Sequence, residues 1–196
     1  MNHVAVRLLL IWVLVSGWPA QDAWAGCGAG TVLYFKLEHE TYLLLADHSR
    51  IHQRHRGWSG FGGRCDGQSP AVAAARETEE ETKGYYSRNA ILAKLESASI
   101  SHVADFTTFF IEVDYVPVNV INNYKSLNRS AGYRERGPYA WVPISSVWLA
   151  IENKKSARAY LPAKYLPPEA YTDWLFEPFV VSLQAAKSAG RLPWER

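Results

Sequence analysis

Residues 57–85 read GWSGFGGRCDGQSPAVAAARETEEETKGY, and the fold is decided by this stretch. Glycines at 57, 60, 62, 63 and 67 make a loop whose backbone can come close to a ligand. Ser69-Pro70 then supplies an N-cap followed by a proline suited to the first helical position. The pattern predicts a helix from about Ala71 to Lys83, closed by Gly84 as a C′-type ending. On a helical wheel Ala71, Ala74, Ala75, Thr78 and Thr82 share a small-residue face that can lie close against a sheet. Glu77, Glu80 and Glu81 fall together on the neighbouring face. At i, i+3 and i+4 such carboxylates repel one another by about a few tenths of a kcal/mol per exposed pair. A hard divalent cation reverses that interaction, because Mg²⁺ takes oxygen ligands and bridges carboxylates to phosphates. A solvated acidic helix face is the alternative reading of the same residues.

The flanks read as alternating strands and helices. Residues 31–37 (TVLYFKL) and 41–46 (TYLLLA) form a hairpin around a turn at His39-Glu40, followed by a basic run from His48 to Arg56. Arg54 and Arg56 in that run, with Trp58, Ser59 and Gly63, are the candidate substrate contacts, since guanidinium forks suit phosphates. An exposed hairpin loop accounts for the basic run equally well. Ser87 to Ser97 reads as an amphipathic helix, and 99–103 and 106–115 read as strands. In the second of these strands Glu112 and Asp114 share a face with Phe110, turned either to a cleft or to solvent. Pro117 to Gly132 is a polar loop that can overhang a site. Glu169 to Gly190 reads as a final helix.

Composition bounds the possibilities. The chain has 196 residues, 48% of them hydrophobic and 20% charged, which suits a folded domain and excludes a disordered or polytopic membrane chain. A net charge of +2 is too small to argue for a nucleic-acid partner. No His-x-x-x-His or Cys-x-x-Cys pair points to zinc, and Gly57-Trp-Ser-Gly lacks the spacing of a serine elbow.

The first 25 residues follow a different grammar. A mildly basic start, an apolar run from Leu8 to Ser16 and the small-residue ending Ala23-Trp24-Ala25 read as a secretory signal peptide cut after Ala25. The run is too short to span a bilayer, which takes about 20 residues. The expected location is therefore exported, periplasmic or secreted. A membrane enters only if the signal is retained or if Cys27 is lipidated. Cys27 and Cys65 can pair in an oxidising compartment, or remain two free thiols.

The order of Phe61-Gly62-Gly63, Gly67-Gln68-Ser69-Pro70, Arg76-Glu77-Thr78-Glu79-Glu80-Glu81 and Gly84-Tyr85 resembles the signature of the Nudix hydrolases. Trp58-Ser-Gly-Phe-Gly-Gly-Arg64 looks most like MutT-type enzymes that act on oxidised purine nucleoside triphosphates. The resemblance implies an α/β fold, a Nudix-type α/β/α sandwich with a mixed sheet, over residues 28–190. It also implies metal-dependent attack of water on a diphosphate linkage in a nucleoside diphosphate derivative, with Mg²⁺ or Mn²⁺ as cofactor and a small-molecule nucleotide-type substrate. Carried over by position, Glu77, Glu80 and Glu81 are catalytic metal ligands, joined by the Gly62 carbonyl and by Glu135. Arg76 positions a catalytic carboxylate. The chain departs from the pattern at Gln68, where the family has Glu, at Thr78, normally apolar, and at Lys83, which is inserted before the glycine. Leu166-Pro167-Pro168-Glu169 lacks the base-stacking Trp and one acid of the oxidised-purine enzymes. A catalytically inactive Nudix domain that binds a nucleotide or a protein is the other reading of these departures.

Overall fold

The structure, a computed structural model, describes residues 26–48, 56–128 and 130–195. The signal-peptide reading of residues 1–25 and the Arg54 assignment lie outside the described residues. Seven strands form one sheet. They are β1 (Gly28–Leu37), β2 (Glu40–Asp47), β3 (Trp58–Ser59), β4 (Phe61–Arg64), β5 (Ser99–Val103), β6 (Phe106–Glu112) and β7 (Tyr139–Pro143). The helices are α1 (Pro70–Glu81), α2 (Arg88–Leu95), α3 (Val118–Asn122), α4 (Ile144–Glu152) and α5 (Glu177–Ser188).

The sheet runs β3-β2-β1-β6-β5, with β4 also paired to β1 and β7 to β2. β1 and β6 are parallel, and the other pairings are antiparallel, so the sheet is mixed. Both faces are covered, which explains why the strands are apolar at successive positions rather than alternating with polar residues. On one face Val32, Tyr34, Leu43, Leu45 and Phe110 pack under α4 and α5. On the other Leu33, Leu44, Phe109 and Ile111 pack under α1, α2 and α3. The result is the three-layer α/β arrangement expected from the sequence.

Several boundaries differ from the sequence reading, each for a local reason. α1 starts at Pro70 behind the Ser69 cap, whose side chain accepts from the Val72 N–H. It ends at Glu81 in a Schellman-type turn: Gly84 N–H donates to the Glu79 carbonyl and Lys83 N–H to the Glu80 carbonyl. Lys83, not Gly84, therefore holds the C′ position, with φ +59°. Its ammonium donates to the Asn122 carbonyl at 3.1 Å and lies over the Tyr139 ring, contacts that hold a lysine where glycine is usual. Thr78 is fully buried but satisfied, its hydroxyl reaching the Ala74 carbonyl and Thr31 Oγ1, both at 2.7 Å. This buried pairing explains how a hydroxyl takes an apolar position. Glu112 and Asp114 are exposed, and Glu112 forms an ion pair with Lys36.

The last helix is shorter than expected. Residues 169–176 form no helix; Trp174 and Leu175 instead bridge to Tyr160 and Trp58. α5 begins only at Glu177-Pro178, with the proline in its first turn. Asp47 pins the preceding segment, accepting hydrogen bonds from Tyr171 N–H, Thr172 N–H and the Thr172 hydroxyl at 2.9–3.1 Å. Asp47 is fully buried, so its removal leaves three donors without an acceptor. Asp47→Ala should lower the unfolding free energy by about 3 kcal/mol. Urea denaturation of the two proteins checks this, and equal midpoints would contradict it.

Cys27 and Cys65 form a disulfide with Cα atoms 5.4 Å apart. Their backbones are also bonded, Cys65 N–H donating to the Cys27 carbonyl, so the bridge staples the start of β1 to the end of β4. The bridge closes a loop 38 residues apart in sequence. Closing a loop of that size contributes about 3–4 kcal/mol on the chain-entropy account. Thermal unfolding with and without reductant should show a loss of that order, and an unchanged midpoint would contradict it.

Candidate active site

The site lies where the last two turns of α1 meet β4 and the segment 132–136. β4 must pass close to α1, and its glycines allow it. A Cβ built on Gly63 would stand 2.5 Å from Glu77 Oε1, so a side chain there would displace this carboxylate. On β4 the Gly62 N–H donates to Glu81 Oε2 at 2.8 Å. In extended backbone the N–H and C=O of one residue point to the same side, so the Gly62 carbonyl also faces α1.

Glu81 is a buried acid, 3% exposed. Its other oxygen lies 3.7 Å from Nε of Arg136, itself 2% exposed. Burial raises the Glu81 carboxyl to about 7; Arg136 and the Gly62 N–H pull it back, while Glu77 and Glu135 push it further up. Burial likewise raises Glu77; Arg76 opposes this, and Glu80 and Glu135 add to it. These effects couple Glu81 to Glu77 and Glu135, and Glu77 to Glu80 and Glu135. Glu80 faces the segment from above, since a Cβ on Gly132 would stand 3.0 Å from its Oε2. The loop before β7 thus overhangs the acids through Gly132.

Arg76 organises the outer side. Its Nη1 lies 2.8 Å from Glu77 and 3.2 Å from Glu80, its Nη2 donates to the Arg64 carbonyl, and its Nε donates to Gln68 Oε1 at 3.0 Å. An amide oxygen accepts that bond as a carboxylate would, so Gln68 in place of Glu leaves Arg76 held. Helix α1 is further anchored by Tyr139, whose hydroxyl donates to the Glu81 carbonyl at 2.6 Å.

In donor chemistry, though not in their positions, the acidic residues suit a hard divalent cation. Glu77, Glu80, Glu81, Glu135 and the Gly62 carbonyl offer only oxygen, and a cation would offset the repulsion and burial that raise two of the acids. The expected gathering of three acids around one point is not what the geometry gives. Among the described residues no group of three or more His, Cys, Asp or Glu is placed to hold one ion. The reason is visible in the pairs: Arg76 draws Glu77 and Glu80 outward, while Arg136 and Gly62 hold Glu81 inward.

The candidate substrate contacts divide. Trp58 is fully buried, its indole N–H donating to the Thr172 carbonyl at 2.7 Å, so its ring belongs to the core and is not open to stack a ligand. Ser59 is buried too, and its hydroxyl is held by Arg136 and by the Gly60 carbonyl. Gly63 meets Glu77, as described. Arg56 is exposed, immediately before the turn into β3.

Arg136 is the residue the sequence did not announce. Its guanidinium donates to the Ser59 carbonyl, the Ser59 hydroxyl and the Gly60 carbonyl while facing Glu81. It lies 55 positions beyond Glu81, and the one available signal was its neighbour Glu135, itself a weak positional match.

Among solved structures, a crystal structure of a binary complex of a C. elegans Ap4A hydrolase is similar over 60% of this chain and 80% of that chain, at 22% sequence identity and a TM-score of 0.37. No curated protein matches the sequence. The NUDIX domain model matches residues 28–163, from the first glycine of β1 to the segment after α4, and takes in β4, the acidic helix and Arg136. A match over that much of the sequence settles the family: the chain belongs to the Nudix domain family.

Proposed function

We propose that the protein is a metal-dependent hydrolase of a diphosphate linkage, acting on a nucleoside diphosphate derivative with Mg²⁺ or Mn²⁺. The observation that carries this reading is the buried Glu81 carboxyl on the Gly62 N–H, with Glu77 and Glu135 near enough to raise it. When bound, the cation would neutralise phosphate charge and acidify a water. Glu77, Glu80, Glu81, Glu135 and the Gly62 carbonyl would hold it. Arg76 orients Glu77 and Glu80 through charge-assisted bonds, and Arg136 orients Glu81.

A second reading, a non-catalytic module, draws on a specific observation: both arginines already neutralise the acids. The substrate panel separates the two. The protein with Mg²⁺ is assayed against nucleoside diphosphate sugars, dinucleoside polyphosphates and nucleoside triphosphates beside Glu80→Gln and Glu81→Gln. Turnover that disappears in both variants supports the hydrolase, and a flat panel with metal-independent nucleotide binding supports the module. The oxidised-purine specificity of MutT-type enzymes is not part of this proposal, since Leu166-Pro167-Pro168-Glu169 lacks the stacking Trp and one acid of their base-reading pattern.

Export is part of the same proposal. A stapled Cys27–Cys65 pair fits an oxidising compartment and the signal-peptide reading of residues 1–25. An N-terminus at Gly26 in the exported protein would support it; an intact Met1 or an acylated Cys27 would overturn the cleavage.

A further inference from the structure

Beside Gly62 and Arg136 opens a cleft of about 360 Å³ between the sheet and the first turns of α5. Its walls are apolar: Val32, Val103, Phe106, Phe176, Phe179 and Val181. The polar side chains that reach it are largely committed elsewhere. Thr31 Oγ1 is bonded to Thr78 Oγ1. The Ser59 hydroxyl is held by Arg136 and Gly60, and Glu177 takes the Lys154 ammonium at 2.9 Å. The His48 ring packs edge-on to Phe176 with centroids 6.0 Å apart. The His48 ring nitrogens, the Arg136 guanidinium and the hydroxyls of Thr108 and Ser182 are the other polar side-chain groups on the wall. A nucleobase carries several polar edge atoms, and those buried against the valine and phenylalanine walls lose water without gaining partners. An alkyl or isoprenoid chain has no such cost, and a cleft of this size is within the range of small-molecule sites.

From these walls we infer that the cleft takes an apolar chain esterified to the diphosphate; a nucleoside, where the substrate has one, lies outside it. The diphosphate end is placed by continuity, since Gly62 and Arg136 belong both to the cleft and to the acidic site. The inference rests on the hydrolase reading only for where the diphosphate lies.

The test measures binding, so that it stands apart from turnover. Non-hydrolysable methylenediphosphonate monoesters of methyl, butyl, hexyl and octyl alcohols, and of adenosine, are titrated into the full-length chain by calorimetry, with and without Mg²⁺. Affinity should rise about fourfold for each methylene buried until the cleft is full, and the octyl ester should bind more tightly than the adenosine ester. Val181 is 41% exposed on the cleft wall, so Val181→Glu should fold normally. It should weaken the octyl ester at least tenfold and leave the methyl ester unchanged. Affinity independent of chain length, tighter binding of the adenosine ester, or octyl binding unaffected by Val181→Glu would overturn the inference. Chain-length dependence without hydrolysis of the parent diphosphates would retain the cleft and remove the hydrolase.

Discussion

Glu81→Gln is expected to lower kcat/KM by at least about a hundredfold while making the metal-free protein more stable at neutral and alkaline pH. The rate loss follows from removing the buried carboxylate at the centre of the proposed ligand set, since loss of one electrostatic stabiliser of a transition state typically costs about 100–1,000-fold. The stability gain follows from linkage. Glu81 titrates near 7 in the folded chain against 4.5 for the free side chain. Between these values the folded protein holds a proton that the unfolded chain has lost, so stability falls as pH rises from about 4.5 and levels off above about 7. The shift corresponds to about 3 kcal/mol. Burial of Glu77 acts in the same direction. Urea unfolding at pH 5 and pH 8 should show the slope in the wild type and a much weaker one in Glu81→Gln. Equal slopes would mean that Glu81 is not the acid responsible.

Arg136→Met should be the most destabilising substitution at the site, by about 3–5 kcal/mol at pH 8. The guanidinium compensates Glu81 and donates to Ser59 and Gly60, so its loss leaves a buried anion and unsatisfied carbonyls. The double variant Arg136→Met with Glu81→Leu removes both charges and should recover much of the loss. Chemical denaturation of the four proteins closes the cycle. A double variant as unstable as Arg136→Met would show that the Ser59 and Gly60 bonds, rather than the ion pair, carry the effect. At pH 5, where Glu81 is protonated, the Arg136→Met penalty should shrink.

The parts of this site that were legible in the sequence are those fixed by local periodicity. A helix places Glu77, Glu80 and Glu81 within one turn whatever surrounds it, and Ser69-Pro70 marks its start. The glycines of β4 were legible as a close approach, although what approaches Gly63 is Glu77 of the same chain. What was not legible depends on distant pairing. Trp58 reads either as core or as a ring stacked on a ligand, and Thr172 and Leu175, more than a hundred positions on, enclose it in the core. Arg136 has no motif of its own and reaches Glu81 only because the segment before β7 folds over β4. The false start of the last helix at Glu169 came from its apolar residues. Trp174 and Leu175 face the core from extended backbone, and Glu177-Pro178 was the truer start signal.

The disulfide and the acids bear on one another mechanically. Cys27–Cys65 fixes the β1–β4 register that presents Gly62 and Gly63 to α1. Arg64 and Asp66, next to Cys65, supply the carbonyl and carboxylate that hold Arg76 from outside.

A calorimetric titration of the metal-free protein with Mn²⁺ at pH 6.5, in buffers of different ionisation enthalpy, addresses the acidic site most directly. Binding should be saturable, should release protons as Glu81 ionises, and should weaken at least tenfold in both Glu80→Gln and Glu81→Gln. Mn²⁺ that fails to bind, or that binds equally to the wild type and both variants, would contradict a cation site on these carboxylates.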